Sequence, residues 1–203
     1  MPLDAAVFAC LTTLFFATAR TGEFTVPNLN SFNPSFHITR NHVSTQCDRN
    51  GLEITNFCLS RTKSTPLGED INWAKQDSLS DPQDALLNHF RINDPPGNAH
   101  LFTYREKNGY KPLTRNKFLK TLETANKSAG LIRLKGHGIR ISSTLKYLLR
   151  NIPFEVVKVK GRWASDAFLI YLRNHAQILA PYMQANHAIH EKFRQFAIPP
   201  IRH

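Results

Sequence analysis

Apolar residues dominate the first segment of the chain, residues 3–19, where three threonines and Asp4 are the strongly polar exceptions. This pattern predicts a buried helix that ends at the Arg-Thr-Gly-Glu-Phe turn beginning with Arg20. The run is too short and too polar to span a membrane. A signal peptide of a secreted basic protein is the alternative, since the run ends in Ala-Thr-Ala, but its start carries an acid and no base.

Alternating apolar and polar residues come next, and they predict a small antiparallel sheet. The segments 36–43 (FHITRNHV) and 51–60 (GLEITNFCLS) alternate well enough to form strands, and 70–74 (DINWA) is predicted as the returning strand. A polar turn at 61–66 separates the last two strands. We therefore expect Lys63 to lie near a hairpin tip.

The remainder of the chain shows helical periodicity that proline and glycine interrupt. Capping residues and prolines at helix starts, and glycines at helix ends, divide it into separate helices. The predicted helices cover 80–92, 113–130, 137–151, 153–161 and a segment from 165 onward that carries Tyr171. The sequence thus predicts a mainly α domain with a small antiparallel β-sheet near its start, an α+β fold.

The charge of the chain indicates the kind of partner that it binds. The 203 residues contain 26 Lys and Arg against 15 Asp and Glu, a net charge of +11. Such an excess favours a polyanionic partner, with nucleic acid first and an anionic membrane second. The segment 131–175 contains nine basic residues and only two acidic ones.

Cysteine and histidine patterns indicate neither a disulfide framework nor a metal site. The three cysteines are odd in number and have no short paired spacing, which favours a reducing compartment. His187 and His190 could form a metal pair, but no third ligand lies near them in the sequence. Since the chain also lacks a glycine-rich phosphate loop and an acidic cluster, we expect no cofactor and no metal.

Two residue pairs have the spacing that places side chains on one helix face. Arg140 offers planar donors suited to phosphate oxygens, and His137 can transfer a proton near neutral pH. A solvated helix face is the alternative for this pair. Arg20 and Glu23 repeat the spacing where the first helix ends, and a surface ion pair is the ordinary interpretation, although Arg20 directly follows an apolar run and so lies at the rim of a core.

Three further residues could take part in chemistry. Lys63 is either a solvated turn lysine or a mobile ammonium that reaches a leaving oxygen. Trp163 supplies an N–H donor on a large apolar ring, or packs in a core. Tyr171 could be one more aromatic on a helix, because a phenol with a pKa of about 10 needs cationic neighbours and an electrophilic phosphorus to act as a nucleophile.

In order along the chain, Arg-x-x-Glu, a hairpin lysine, His-x-x-Arg, Gly-Arg-Trp and a tyrosine resemble the catalytic domain of the tyrosine recombinases, the phage-integrase family. The stretch GRWASDAF is similar to members encoded by eukaryotic mobile elements, particularly fungal ones. The resemblance assigns residues 1–182 to a catalytic domain and 183–203 to a partly helical tail. It also predicts that the family's N-terminal core-binding domain is absent, so that the sequence is the C-terminal part of something longer.

The resemblance implies roles for the residues of the reaction. Tyr171 would attack the scissile phosphate of DNA and form a 3′-phosphotyrosyl bond. Arg20 and Arg140 would hold the non-bridging oxygens and stabilise the transition state. His137 would assist proton transfer at the tyrosine, and Lys63 would protonate the departing 5′-oxygen.

Other residues are implied to support the reaction or to bind DNA. Trp163 would steady a phosphate oxygen or the packing of the site, and Glu23 would position neighbouring groups. The expected contacts with the DNA backbone are Lys158, Lys160, Arg162 and Arg173.

The implied function is a metal-free transesterification that serves DNA recombination and integration. The implied partners are double-stranded DNA and further copies of the chain in a synaptic tetramer, with residues 177–196 as a candidate exchanged helix and no membrane. The expected location is the nucleus if the source is eukaryotic, and otherwise the cell interior. A catalytically inactive DNA-binding remnant of a mobile-element recombinase is the alternative.

Overall fold

The computed structural model describes residues 1–62, 65–131, 135–150 and 152–163. Within these ranges the chain forms five α-helices, a three-stranded antiparallel sheet and a two-stranded hairpin, which confirms the predicted α+β class. The helices are α1 (Pro2–Phe16), α2 (Pro82–Asn93), α3 (Arg115–Ser128), α4 (Gly136–Leu149) and α5 (Phe154–Gly161). The strands are β1 (Val43–Cys47), β2 (Glu53–Leu59), β3 (Glu69–Ala74), β4 (Tyr104–Glu106) and β5 (Gly109–Lys111).

Two compact units divide the chain, Met1–Arg140 and Ile141–His203, so the boundary between them falls within α4. The predicted domain end at residue 182 and the tail 183–203 lie outside the described residues. Among the described residues, no helix is long and apolar enough to cross a membrane.

Helix α1 lies in the core of the first unit. Ala6, Ala9, Cys10 and Leu14 are fully buried, and α2 packs against the helix. A helix that is apolar on nearly every side needs such surroundings. The structure therefore agrees with the buried-helix interpretation of this segment, because removing α1 would expose the apolar core that it contacts.

The three-stranded sheet has the order β1-β2-β3 and presents one face to the same core. Alternate residues of β2 and β3 are buried, including Phe57, Ile71 and Trp73, as expected for strands with one solvated face. The predicted strands at 51–60 and 70–74 are therefore confirmed. β1 is an edge strand whose residues from Ser44 to Cys47 are exposed.

The strand predicted over residues 36–43 is wrong, because the backbone of this segment bonds to a loop. Leu101 N–H donates to the carbonyl of Ile38 at 3.1 Å, and Asn41 N–H donates to that of Gly97 at 3.0 Å. Arg40–His42 forms a short 3-10 turn, and β1 begins only at Val43. The apolar alternation reflected burial against the loop and not pairing in the sheet.

The sequence indicates a short extended segment at 100–106, which contains β4. Its pairing with β5 in a hairpin was not predicted, although Asn108–Gly109 is a strong turn signal. Gly109 has a φ of 111°, which favours glycine. The starts of α2 and α3 agree with the helices predicted from 80 and 113, and each has a capping side chain: Asp81 accepts a hydrogen bond from Asp84 N–H, and Thr114 accepts one from Lys117 N–H.

In the second unit, the C-terminal part of α4 packs with α5 around a small apolar cluster. Leu148 and Val157 are its buried centre. The half-buried side chains packed against them are Leu145, Tyr147, Ile152, Phe154 and Trp163. The helix predicted at 153–161 is confirmed as α5, with Pro153 as its N-cap.

Candidate active site

The segment that carries Arg20 begins with an unusual helix end. After α1, Ala19 N–H donates to the carbonyl of Leu14 at 2.9 Å, while Thr18 adopts a left-handed conformation with φ of 52°. This is the arrangement in which helices often place glycine. A β-branched residue there is an outlier that opposes local stability. The turn carries the chain from the buried Ala19 directly to Arg20.

Glu23 holds Arg20 in place at this turn. One carboxylate oxygen accepts from the Arg20 backbone N–H at 2.8 Å, and the other pairs with Arg20 Nη1 at 3.0 Å. The Glu23 side chain is only 7% exposed, whereas that of Arg20 is 30% exposed. The pair is therefore more than a solvated surface contact, because its acidic partner is buried and grips both the backbone and the guanidinium.

Core contacts anchor the residues that follow. Phe24 is fully buried and meets Phe57 edge-on with ring centroids 5.4 Å apart. Val26 exchanges backbone hydrogen bonds with the entrance of α3, since its N–H donates to Leu113 and its carbonyl accepts from Arg115. The Arg20 segment is thus fixed to the sheet on one side and to α3 on the other.

A direct contact joins this segment to the start of α4. Thr21 Oγ1 donates a hydrogen bond to the carbonyl of Gly136 at 3.3 Å, and Thr21 is buried. A Cβ added at Gly136 would lie 2.7 Å from the same hydroxyl oxygen. The absence of a side chain at Gly136 therefore permits the close approach. Because Arg20 precedes Thr21 and His137 follows Gly136, the contact brings together the backbones that carry these two residues.

The first turns of α4 place His137 and Arg140 in different environments. His137 is exposed, but Arg140 is only 5% exposed, and its neighbour Ile139 belongs to the main core. The solvated-face alternative is therefore wrong for Arg140. A buried guanidinium is held in a defined position and requires acceptors, which suits a group that binds an anion.

Residues of the predicted DNA-contacting group lie in and after α5. Lys158, Lys160 and Arg162 are all half-buried, so none of them is a simple solvated charge. Lys160 Nζ lies 5.1 Å from the ring centroid of Tyr147, a cation–π contact. Burial lowers the pKa of Lys160 to about 8 and raises that of Tyr147 to about 12. Trp163 packs against the apolar cluster of this unit.

The remaining predicted residues, Lys63, Tyr171 and Arg173, lie outside the described residues. Arg20, Glu23, His137 and Arg140 thus belong to the first unit, and the basic group with Trp163 belongs to the second. Within the described ranges, no group of three or more His, Cys, Asp or Glu residues is placed to hold a metal ion.

Sequence reasoning missed Thr21 and Gly136, which join two of the predicted groups. Each stands directly beside a residue that was singled out, Thr21 after Arg20 and Gly136 before His137. A glycine at a helix start beside a candidate catalytic histidine is a signal of close backbone approach.

No family model and no curated protein matches this chain. Among solved structures, the chain is similar to a Flpe–Holliday junction complex, with a TM-score of 0.54, and to a Flp recombinase–Holliday junction complex, with a TM-score of 0.53. Both are 15% identical in sequence, and each match covers 81% of this chain and 40% of the recombinase chain. This chain therefore spans less than half the length of those recombinases. The chain therefore shares the fold of these recombinases, in agreement with the predicted tyrosine recombinase type of fold.

Proposed function

We propose that this chain is the catalytic part of a tyrosine recombinase, which breaks and rejoins DNA through a 3′-phosphotyrosyl intermediate. The observation that carries the proposal is the Thr21–Gly136 contact. It joins the backbone beside Arg20 to the backbone beside His137 across 115 residues of sequence, which supports a common site for Arg20, His137 and Arg140. The recombinase fold supports the same conclusion.

The proposed chemistry is an in-line exchange of one phosphoester for another. The Tyr171 phenol oxygen attacks phosphorus, the bond from phosphorus to the 5′-oxygen breaks, and the DNA 3′ end remains on the tyrosine. His137 takes up the phenolic proton, while Lys63 gives a proton to the leaving 5′-oxygen. The reverse steps rejoin the strand, and no external energy is needed because the number of phosphoester bonds is unchanged.

The two arginines are proposed to stabilise the charge that develops on the phosphate. Arg20 is partly exposed, so its guanidinium can meet a ligand while Glu23 keeps it oriented. Arg140 is buried and therefore pre-positioned. Donors that are fixed before the reaction stabilise a transition state without reorganisation at that moment, which is the main source of catalytic power in such sites.

The proposed partner is double-stranded DNA, including branched junctions of the kind named for the Flp complexes. The net charge of +11 favours a polyanion. Lys158, Lys160, Arg162 and Arg173 are proposed as backbone contacts, and assembly into a tetramer is proposed for strand exchange. DNA integration of a mobile element, in the nucleus of a eukaryote, is the proposed setting.

A covalent-adduct assay tests the proposal. The purified protein is incubated with nicked DNA substrates of random sequence, which trap the intermediate because the cleaved end diffuses away. We expect a protein–DNA adduct that resists denaturation and disappears in Tyr171→Phe. The adduct should persist in the control variant Tyr110→Phe, which removes a phenolic hydroxyl from a tyrosine of β5. DNA binding without an adduct in the folded protein would instead establish the inactive DNA-binding remnant.

A further inference from the structure

The turn after α5 has its glycine in an unexpected place. Arg162 adopts the left-handed conformation that ends the helix, with φ of 54°, and Trp163 N–H donates to the carbonyl of Lys158 at 3.2 Å. Glycine is the usual residue at this left-handed position. Here Gly161 stands one residue earlier, inside the helix, and is not among the residues with positive φ. Its own backbone conformation therefore does not call for glycine.

The indole of Trp163 explains the glycine. A Cβ built on Gly161 would overlap Cε3, Cζ3 and Cη2 of the indole, all in its six-membered ring. Gly161 is buried, and the six-membered ring of the indole lies directly against its bare backbone. No side-chain rotation at Gly161 could relieve the overlap, because Cβ itself is the atom that collides.

A second contact limits the ring as well. Trp163 packs against the apolar cluster centred on Leu148 and Val157. The indole is therefore held between the Gly161 backbone and this cluster, and it remains half-exposed. A helix end alone would not require this arrangement, since placing glycine at 162 would remove the strain at Arg162. The order Gly-Arg-Trp therefore allows the indole to pack against residue 161, although it leaves Arg162 in a strained left-handed conformation.

We propose that Gly161 is a positioning residue that fixes the indole of Trp163 for contact with the DNA phosphate. The role in catalysis rests on the proposed recombinase function, whereas the position of the ring does not. Gly161 acts through Trp163 and touches no reacting atom. Any side chain at 161 displaces the indole, and a smaller ring at 163 leaves room for a methyl group.

Fluorine NMR of protein labelled with 5-fluorotryptophan tests the position of the ring. The chain has two tryptophans, so Trp163→Phe assigns both resonances. We expect Gly161→Ala to shift the Trp163 resonance and to leave that of Trp73, which is buried in the first unit, unchanged. Val159→Ala, at an exposed site of the same helix, should move neither. An unmoved Trp163 resonance in Gly161→Ala would overturn the proposal.

A compensating variant covers the case in which Gly161→Ala unfolds. The double variant Gly161→Ala with Trp163→His carries a smaller ring, and we expect it to recover the Trp73 resonance of the folded protein. A double variant that is as unfolded as Gly161→Ala would show that the indole is not what the methyl group strikes, and the proposal would fail.

Cleavage of nicked DNA gives the second readout. We expect Gly161→Ala to lower the cleavage rate at saturating DNA by about tenfold or more, since small displacements of a positioned group have effects of this size. DNA affinity should stay near that of the unaltered protein, and the double variant should cleave as fast as Trp163→His alone. A displaced ring with an unchanged cleavage rate would refute the positioning role. If the unaltered protein forms no adduct at all, the recombinase proposal fails, but the NMR result still decides whether Gly161 seats the ring.

Discussion

Acid should destabilise this protein, because two histidines are buried in their neutral form in the first unit. His89 Nε2–H donates to the Leu101 carbonyl at 2.9 Å, while its Nδ1 lies 2.9 Å from the Asn93 amide nitrogen. His100 Nδ1 accepts from Phe102 N–H at 3.3 Å, so its proton lies on Nε2, a buried atom without a hydrogen-bond partner in the described structure. Both environments suit a neutral ring and oppose a charged one.

Burial is the main cause of the shifts in both pKa values. It lowers the pKa of His89 to about 4. The hydrogen bond to the Leu101 carbonyl opposes this shift, and the charge of Arg40 adds to it. It lowers the pKa of His100 to about 3, with smaller contributions from His37 and His89. In the unfolded chain, both histidines have the ordinary imidazole pKa of about 6.5. Stability from this source is therefore complete above pH 6.5 and is lost as the pH falls toward 4 and below.

The size of the effect follows from linkage. At pH 5 the unfolded chain binds nearly one proton per histidine and the folded chain binds almost none, which lowers the unfolding free energy by about 2 kcal/mol per histidine. The two together give about 4 kcal/mol, a large share of the ~5–15 kcal/mol typical of a domain. Urea denaturation at pH 7 and pH 5 measures the difference directly.

The imidazole resonances identify the groups responsible. We expect the ring nitrogens of His89 and His100 to keep their neutral chemical shifts at pH 5 in the folded protein. If both rings titrate near pH 6.5, or if the unfolding free energy at pH 5 equals that at pH 7, the burial argument is refuted.

Three further predictions concern the candidate active site. Gly136→Ala should lower the unfolding free energy by about 1–3 kcal/mol through overpacking against Thr21, and it should slow DNA cleavage. Thermal melts and adduct assays measure the two effects, and a variant as stable and as active as the unaltered protein would contradict the prediction. Glu23→Gln keeps the side-chain shape but removes the charge that orients Arg20, so cleavage should fall by about tenfold with DNA affinity preserved, and equal losses of both would contradict an orienting role. Charge reversal at Lys160 and Arg162 should weaken binding across DNA sequences and flatten its dependence on salt; an unchanged slope in a titration from low to high salt would exclude them as phosphate contacts.

Local signals in the sequence were sufficient for much of the fold. Asp81 and Thr114 cap α2 and α3 as their residue types predict, and the alternation in β2 and β3 matches their buried face. The same alternation misled at 36–43, because burial of Ile38 against a loop leaves the same pattern as a strand. Periodicity records which residues are buried but does not record what covers them.

The candidate site required tertiary information for the same reason. Helical spacing predicted that His137 and Arg140 share a face, yet the core that buries Arg140 and leaves His137 exposed is formed by residues distant in sequence. Thr21 and Gly136 are 115 residues apart, and no local pattern links them. Helix α5 ends at Gly161 as predicted, but no local pattern shows that the ring of Trp163, two residues later, is what requires a glycine there.

Mapping of the covalent adduct tests the assignment of Tyr171 as the nucleophile. Protein trapped on a nicked DNA substrate is digested with nuclease and trypsin, and the modified peptide is sequenced by mass spectrometry. Cleavage after Arg162 and Arg173 releases WASDAFLIYLR, in which Tyr171 is the single tyrosine. We expect a 3′-phosphonucleotide on this tyrosine and on no other residue. A nucleotide found on another side chain, or no modified peptide from a folded protein that binds DNA, would contradict the assignment of Tyr171 as the nucleophile.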